Sequence, residues 1–295
     1  MRRVNGGVIA RVSAFALLAA CAAAPAQSDR PAALPPPGQP VARPAAISFL
    51  PTSVPQGSLV IGLADPGARV EYQGRVLKVS GDGRFVLGVG RDASGPVEVS
   101  IQVGDRPPLV HRIAITPRDW PVENVNGVPP RTVDPPKAIA ERIAREQAEV
   151  TRARTRDDER DDFGQAFIWP VQGRISGRFG NQRVYNGTPK SPHSGMDIAA
   201  ANGTPVKAPA AGVVTYANPD MYLTGGTVLL DHGHGVSSNF LHLSRLDVKV
   251  GDRVEQGQVI GAVGATGRAT GPHLHWGMNW FNTRVDPLLL VEHQR

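Results

Sequence analysis

A single cysteine, Cys21, stands in 295 residues. That excludes an intrachain disulfide and a cysteine-built zinc site, so any metal must sit on histidines and carboxylates. No Lys/Arg block interleaved with aromatics occurs, and nucleic-acid binding is therefore not expected. No Gly-X-Y period accompanies the 33 Gly and 27 Pro, so collagen is excluded as well. No HExxH occurs, so a helix-borne glutamate base is lacking. The apolar run from Val12 to Ala24 is too short to span a bilayer as a stable anchor.

What is present is enough hydrophobic residue, 41%, for one or two domains with cores. The formal charge of +6 includes Arg2, Arg3 and Arg11, so the rest of the chain is only mildly basic. Those arginines, with no acid before Cys21 and the apolar run behind them, read as a signal peptide over residues 1–26. Two processing routes stay open. Leu18-Ala19-Ala20-Cys21 matches a lipobox, which would make Cys21 an outer-membrane lipid anchor. Ala24-Pro25-Ala26 matches ordinary signal cleavage. Either route predicts an exported, periplasmic protein, soluble or lipid-anchored.

Residues 27–46 form a Pro/Ala-rich linker, stiff and unable to build a core. Over 47–118, short alternating segments separated by Asp65-Pro66-Gly67, Gln73-Gly74 and Asp82-Gly83 predict a small β-sandwich, a candidate surface for protein partners. Residues 119–166 read as a linker with a helix, which starts after Asp134-Pro135-Pro136 and runs to about Arg160. Its thin apolar stripe (Ile139, Ile143, Val150) fits a solvated connector better than an arm packed on the next module. Residues 167–292 return to short strands and glycine turns. The predicted fold class is mainly β, with the sandwich and the connector helix ahead of a second β module.

Six of the eight histidines fall between 193 and 275. His193-Ser194-Gly195-Met196-Asp197 offers an imidazole and a carboxylate on a loop leading into a strand. His273 and His275 flank Leu274, so on a strand both project to one side. The same alternation predicts that Phe240 and His242 face together. Two histidines and one aspartate would leave an open fourth position on Zn²⁺, the mark of a catalytic site. His232 and His234, in a turn between strands, are expected to be structural, and His111 reads as a lone strand residue.

Taken together, Gly195-Met196-Asp197-Ile198-Ala199-Ala200, Gly203-Thr204-Pro205-Val206, Asp231-His232-Gly233, His242-Leu243-Ser244 and Thr266-Gly267-Arg268-Ala269-Thr270-Gly271-Pro272-His273-Leu274-His275 resemble the LytM/lysostaphin-type zinc endopeptidases, metallopeptidase family 23. The resemblance covers roughly 170–290 and implies that this stretch is a compact antiparallel β catalytic domain with a groove. It implies one Zn²⁺ per catalytic domain, held by His193, Asp197 and His275, with His242 and His273 as catalytic residues. It implies hydrolysis of peptide cross-links in peptidoglycan by zinc-activated water. The alternative it carries is a non-catalytic amidase activator or wall-binding regulator. The family often has Tyr where this chain has Phe240. Arg183, Tyr185, Asn186 and Tyr222 are candidates for the groove.

Overall fold

Alternation decides the first module. Leu59–Ala64 and Ala68–Tyr72 bury every second residue, which turns Val60, Ala64, Val70 and Tyr72 inward. They belong to two sheets. One has three strands, Ile47–Phe49, Leu59–Ala64 and Arg84–Gly88. The other has five, in the order Ser53–Pro55, Leu109–Thr116, Val97–Val103, Ala68–Tyr72 and Arg75–Leu77. Between them lie Phe85, Leu87, Val99, Ile101 and Ile113, all fully buried. The Phe85 ring occupies the space where a Cβ on Gly62 would stand. His111 is tied to the Pro51 carbonyl at 3.0 Å. The computed structural model describes residues 47–128 and 130–291. The predicted leader, Cys21 and the Pro/Ala-rich linker lie outside the described residues.

The second module is built on an eight-stranded sheet. Its order is Arg174–Gly177, Met196–Ala199, His273–Trp280, Val236–Leu243, Gly225–Asp231, Gly212–Met221 and Arg253–Val254, with Thr283–Val285 added beside His273–Trp280. Every pairing in it is antiparallel. Gly225–Asp231 is buried at every position, as expected of a strand covered on both faces. The fold class is therefore the expected one: mainly β, largely antiparallel, with a helix between two β modules.

The segment between the modules departs from the expected connector in three ways. Val122–Val125 is a strand, pairing in parallel with Gln182–Tyr185. The helix is Lys137–Ala153 and stops short of Arg160. Beyond it, Arg156 pairs with Asp158, and Arg160 pairs with Asp158, Asp162 and Asp231. Those contacts hold the chain in a non-helical path. Lastly, the helix is an arm packed on the second module. Its stripe of Ile139, Ile143, Glu146 and Val150 is half-buried. Glu146 accepts from the Tyr222 amide at 2.9 Å, and the Tyr216 hydroxyl donates to Glu149 at 2.9 Å. Polar contacts supply what the thin apolar stripe does not.

The two modules share one apolar core. The Tyr72 and Trp280 rings lie 5.6 Å apart, and Gly88 lets Trp280 approach where a Cβ would stand 2.7 Å away. Arg118, at the end of the first module, pairs with buried Asp286 at 2.8 Å.

Candidate metal centre

Strand register sets the site. Met196–Ala199 pairs with His273–Trp280 so that Asp197 lies opposite His275 and Met196 opposite Trp276. Residues directly opposite share a face of the sheet. Met196 and Trp276 therefore enter the core together, while Asp197 and His275 face the groove. Leu241, opposite His275 on the other side, joins them there. His193 arrives on the preceding loop, which is pinned by hydrogen bonds between His193 and the backbone of Gly180 and Asn181, both at 2.9 Å.

Three donor atoms converge. His193 Nε2 is 3.0 Å from Asp197 Oδ1 and 3.0 Å from His275 Nδ1, and His275 Nδ1 is 2.8 Å from Asp197 Oδ1. The other ring nitrogen of His193 donates to the Arg178 carbonyl at 2.9 Å, which leaves a lone pair on Nε2. Burial holds the His275 imidazole down at about 4, so it is neutral near pH 7. Burial opposes ionisation of Asp197, but the adjoining His193 and His275 side chains outweigh it and keep the carboxyl well below the usual range. His275 Nε2 is buried with no partner among the described residues. Lone pairs packed this closely repel unless a cation or a proton lies among them. Two imidazoles and one carboxylate suit zinc chemically.

Beside this triangle stand His273 and His242, their rings 4.8 Å apart. His273 donates from Nδ1 to the Gly271 carbonyl at 2.8 Å, and His242 from Nδ1 to the Thr266 carbonyl at 2.8 Å. Each thereby keeps Nε2 as its basic nitrogen. His273 Nε2 lies 3.9 Å from Asp197 Oδ1. Burial, reinforced by the neighbouring His273 and His275, pushes His242 down to about 3.

One expectation is corrected here. Phe240 and His242 do not face together. Phe240 lies opposite Trp276, on the core side, with 0% exposure. His242 has φ +66°, a left-handed conformation that is costly for a side chain with a Cβ. That twist breaks the alternation and turns the imidazole into the groove. A hydroxyl at 240 would therefore point away from the site.

The sequence singled out Arg183 only as a candidate. Its Nη2 donates to Asp197 Oδ2 at 2.8 Å, and its Nε faces Glu123 at 2.9 Å. Glu123 comes from the linker strand, and nothing in the sequence marked it. Asn186 is a tie to the linker, exchanging hydrogen bonds with the Val128 backbone at 2.7 and 3.3 Å. Tyr185 lines the groove with Arg268 over its ring at 4.6 Å, while Tyr222 lies beside the helix arm. His232 is fully buried between the Ala211 carbonyl and the Ser238 hydroxyl, each at 2.7 Å, and burial lowers it to about 4. His234 lies against the Phe163 ring at 4.7 Å. Neither lines the groove.

Known proteins resemble this chain over the stretch that carries the site. The model of "Peptidase family M23" matches residues 191–287. The peptidoglycan DD-endopeptidase ShyA of Vibrio cholerae serotype O1 is 41% identical over 124 residues, 41% of this chain and 29% of ShyA. The cell division protein DipM of Caulobacter vibrioides is 37% identical over 131 residues, 42% of this chain and 21% of DipM. The match thus spans less than a third of either relative. A crystal structure of a Pseudomonas aeruginosa protein, described as an M23 peptidase, is 34% identical, with TM-score 0.64. That likeness covers 80% of this chain and 94% of the other.

Proposed function

This chain belongs to peptidase family M23, and from that premise we propose that it is a zinc-dependent endopeptidase hydrolysing peptide cross-links of bacterial peptidoglycan. The observation that carries the reading is the His193–Asp197–His275 triangle, with two further histidines presenting basic nitrogens to the same groove. A regulator without catalysis has no need of His242 held in a strained conformation.

When bound, zinc supplies Lewis-acid chemistry, polarising a carbonyl and acidifying water. The chain's own residues do the rest. His193, Asp197 and His275 hold the ion. Arg183 fixes the second oxygen of Asp197, so that Oδ1 stays turned to the ion. His273 and His242, each oriented by a carbonyl on Nδ1, use Nε2 to take a proton from the attacking water and return it to the leaving amine. A protonated imidazole then faces the developing oxyanion and stabilises it.

The mature protein works in the periplasm, on the strength of its Arg-bearing apolar leader, either soluble or anchored at Cys21. Residues 47–118 serve as a wall- or partner-binding sandwich and 167–292 as the peptidase domain. The test is zinc content plus turnover of purified cross-linked muropeptides, with His275→Ala as control. Stoichiometric zinc and turnover that the variant loses are expected. Zinc without turnover would make the chain a regulator, and normal turnover by His275→Ala would overturn the site.

A further inference from the structure

A second cavity, of about 440 Å³, lies between the two modules. Pro192, His193 and Arg284 line both it and the groove, so the two adjoin on the His193 side of the metal centre. The first module forms one wall through Gln73, at the turn between Ala68–Tyr72 and Arg75–Leu77, and through Gly90 and Arg91. The walls are fixed to each other. Arg91 donates from Nε to the Gly180 carbonyl at 2.6 Å, Arg118 pairs with Asp286, and the Tyr72 ring packs on Trp280. A cleft formed in advance costs a ligand little ordering.

The other wall carries a sheet edge. Met196–Ala199 and Thr283–Val285 pair with the same side of His273–Trp280, because Val236–Leu243 takes the opposite side. Arg174–Gly177 covers the outer edge of Met196–Ala199, but among the described residues no strand covers that of Thr283–Val285. Trp280 pairs with Thr283 across a two-residue turn, so antiparallel alternation turns the backbone N–H and C=O of Arg284 outward. Among the described residues neither group has a backbone partner. An uncovered edge of this kind accepts an extended peptide as an added strand. Asn282 and Thr283 on this side, and Gln73 across from them, add side chains able both to donate and to accept, which suits a peptide backbone.

We propose that the cleft between the modules is a second substrate subsite. A peptide strand passing His193 from the metal centre lies along Thr283–Val285 by backbone hydrogen bonds, with the first module as its outer wall. The inference rests on the peptidase reading and deepens it. The ligand class is an extended stem peptide of the cross-linked substrate, selected by its length on one side of the scissile bond.

The experiment uses the full chain loaded with zinc and cross-linked peptides lengthened residue by residue on either side of the scissile bond. The wild type is expected to gain about tenfold in kcat/KM from lengthening on one side only, the scale of two net backbone hydrogen bonds. A Cβ at Gly90 would meet only Thr283 Cγ2, at 3.6 Å, so a larger side chain there can fill the cleft. Gly90→Phe should abolish the gain, chiefly through KM, whereas Gly90→Ala should keep most of it. N-methylating the added peptide bonds one at a time should cut the gain at one position, with no change to the protein. A second readout is calorimetric binding of the uncross-linked stem peptide, which Gly90→Phe should weaken about tenfold. Circular dichroism checks that Gly90→Phe folds. If it does not, the N-methyl series decides, and no effect at any position overturns the subsite. Equal length dependence in wild type and Gly90→Phe, or none in the wild type, would also overturn it and leave the peptidase reading standing. Peptide binding that Gly90→Phe blocks, without turnover by the wild type, would do the reverse. Absence of both would remove both.

Discussion

Gly195 gives the sharpest test of how the strand register builds the metal centre. It sits between His193 and Asp197, where Met196–Ala199 begins to pair with the strand that carries His275. A Cβ there would overlap the Trp276 carbonyl oxygen and come within 2.8 Å of both Gly277 Cα and His275 Nε2. Two of those neighbours are backbone and cannot swing aside, so the two strands must part by several tenths of an ångström. Overpacking of this kind costs about 1–3 kcal/mol. The larger effect falls on the ion. Metal–ligand distances tolerate about 0.2 Å, and the displaced backbone carries all three ligands. Gly195→Ala is thus expected to fold, to lose about 1–3 kcal/mol in urea unfolding, and to bind zinc at least about tenfold more weakly. Competition with a chromogenic chelator reads the affinity, and circular dichroism reads the fold. Wild-type zinc affinity in a variant of unchanged stability would show that the close approach at Gly195 does not set the ligand geometry.

Arg183→Gln breaks a pair whose side chains are about nine-tenths buried, and should cost about 3 kcal/mol of stability and 10- to 100-fold in zinc affinity. Glu123→Gln should have the same signs and smaller size, and chemical denaturation with zinc titration checks both. His242→Ala and His273→Ala should bind zinc within a few-fold of wild type yet lose about 10²–10⁴ in turnover, as metal analysis beside a muropeptide assay would reveal. Burial, opposed by Arg160 and helped by Asp158, raises Asp231 to about 6. The folded state therefore holds this proton more tightly than the unfolded chain. The stability it contributes, up to about 3 kcal/mol, is full below about pH 4 and is lost as pH rises through about 6. Asp231→Asn should remove that slope from a stability–pH profile, and a parallel profile would contradict the assignment.

The parts legible in the sequence are those fixed by local spacing. His273 and His275 share a face because they are two apart on a strand, and the mainly β class follows from short apolar runs between glycine turns. What escaped was set by tertiary contacts. Val122–Val125 alternates too briefly to announce a strand and exists because Gln182–Tyr185 offers it a parallel edge. Glu123 reaches Arg183 only through that pairing. The positive φ at His242 reverses which neighbour shares its face, and strand periodicity assumes the opposite. The helix was expected to run to about Arg160, but it yields at Ala153 to ion pairs with residues as distant in sequence as Asp231.

The parallel strand donated from between the modules means that the recognisable peptidase stretch leans on residues ahead of it. Cut away, residues 167–292 would keep every imidazole of the groove. They would also expose a bare sheet edge at Gln182–Tyr185, strand Arg183 with half its counter-charge, and leave Phe179 without the Trp120 ring that now stands 5.9 Å from it. Insertions or domain exchanges ahead of the peptidase are thus constrained from residue 118 onward, well before any residue that carries chemistry.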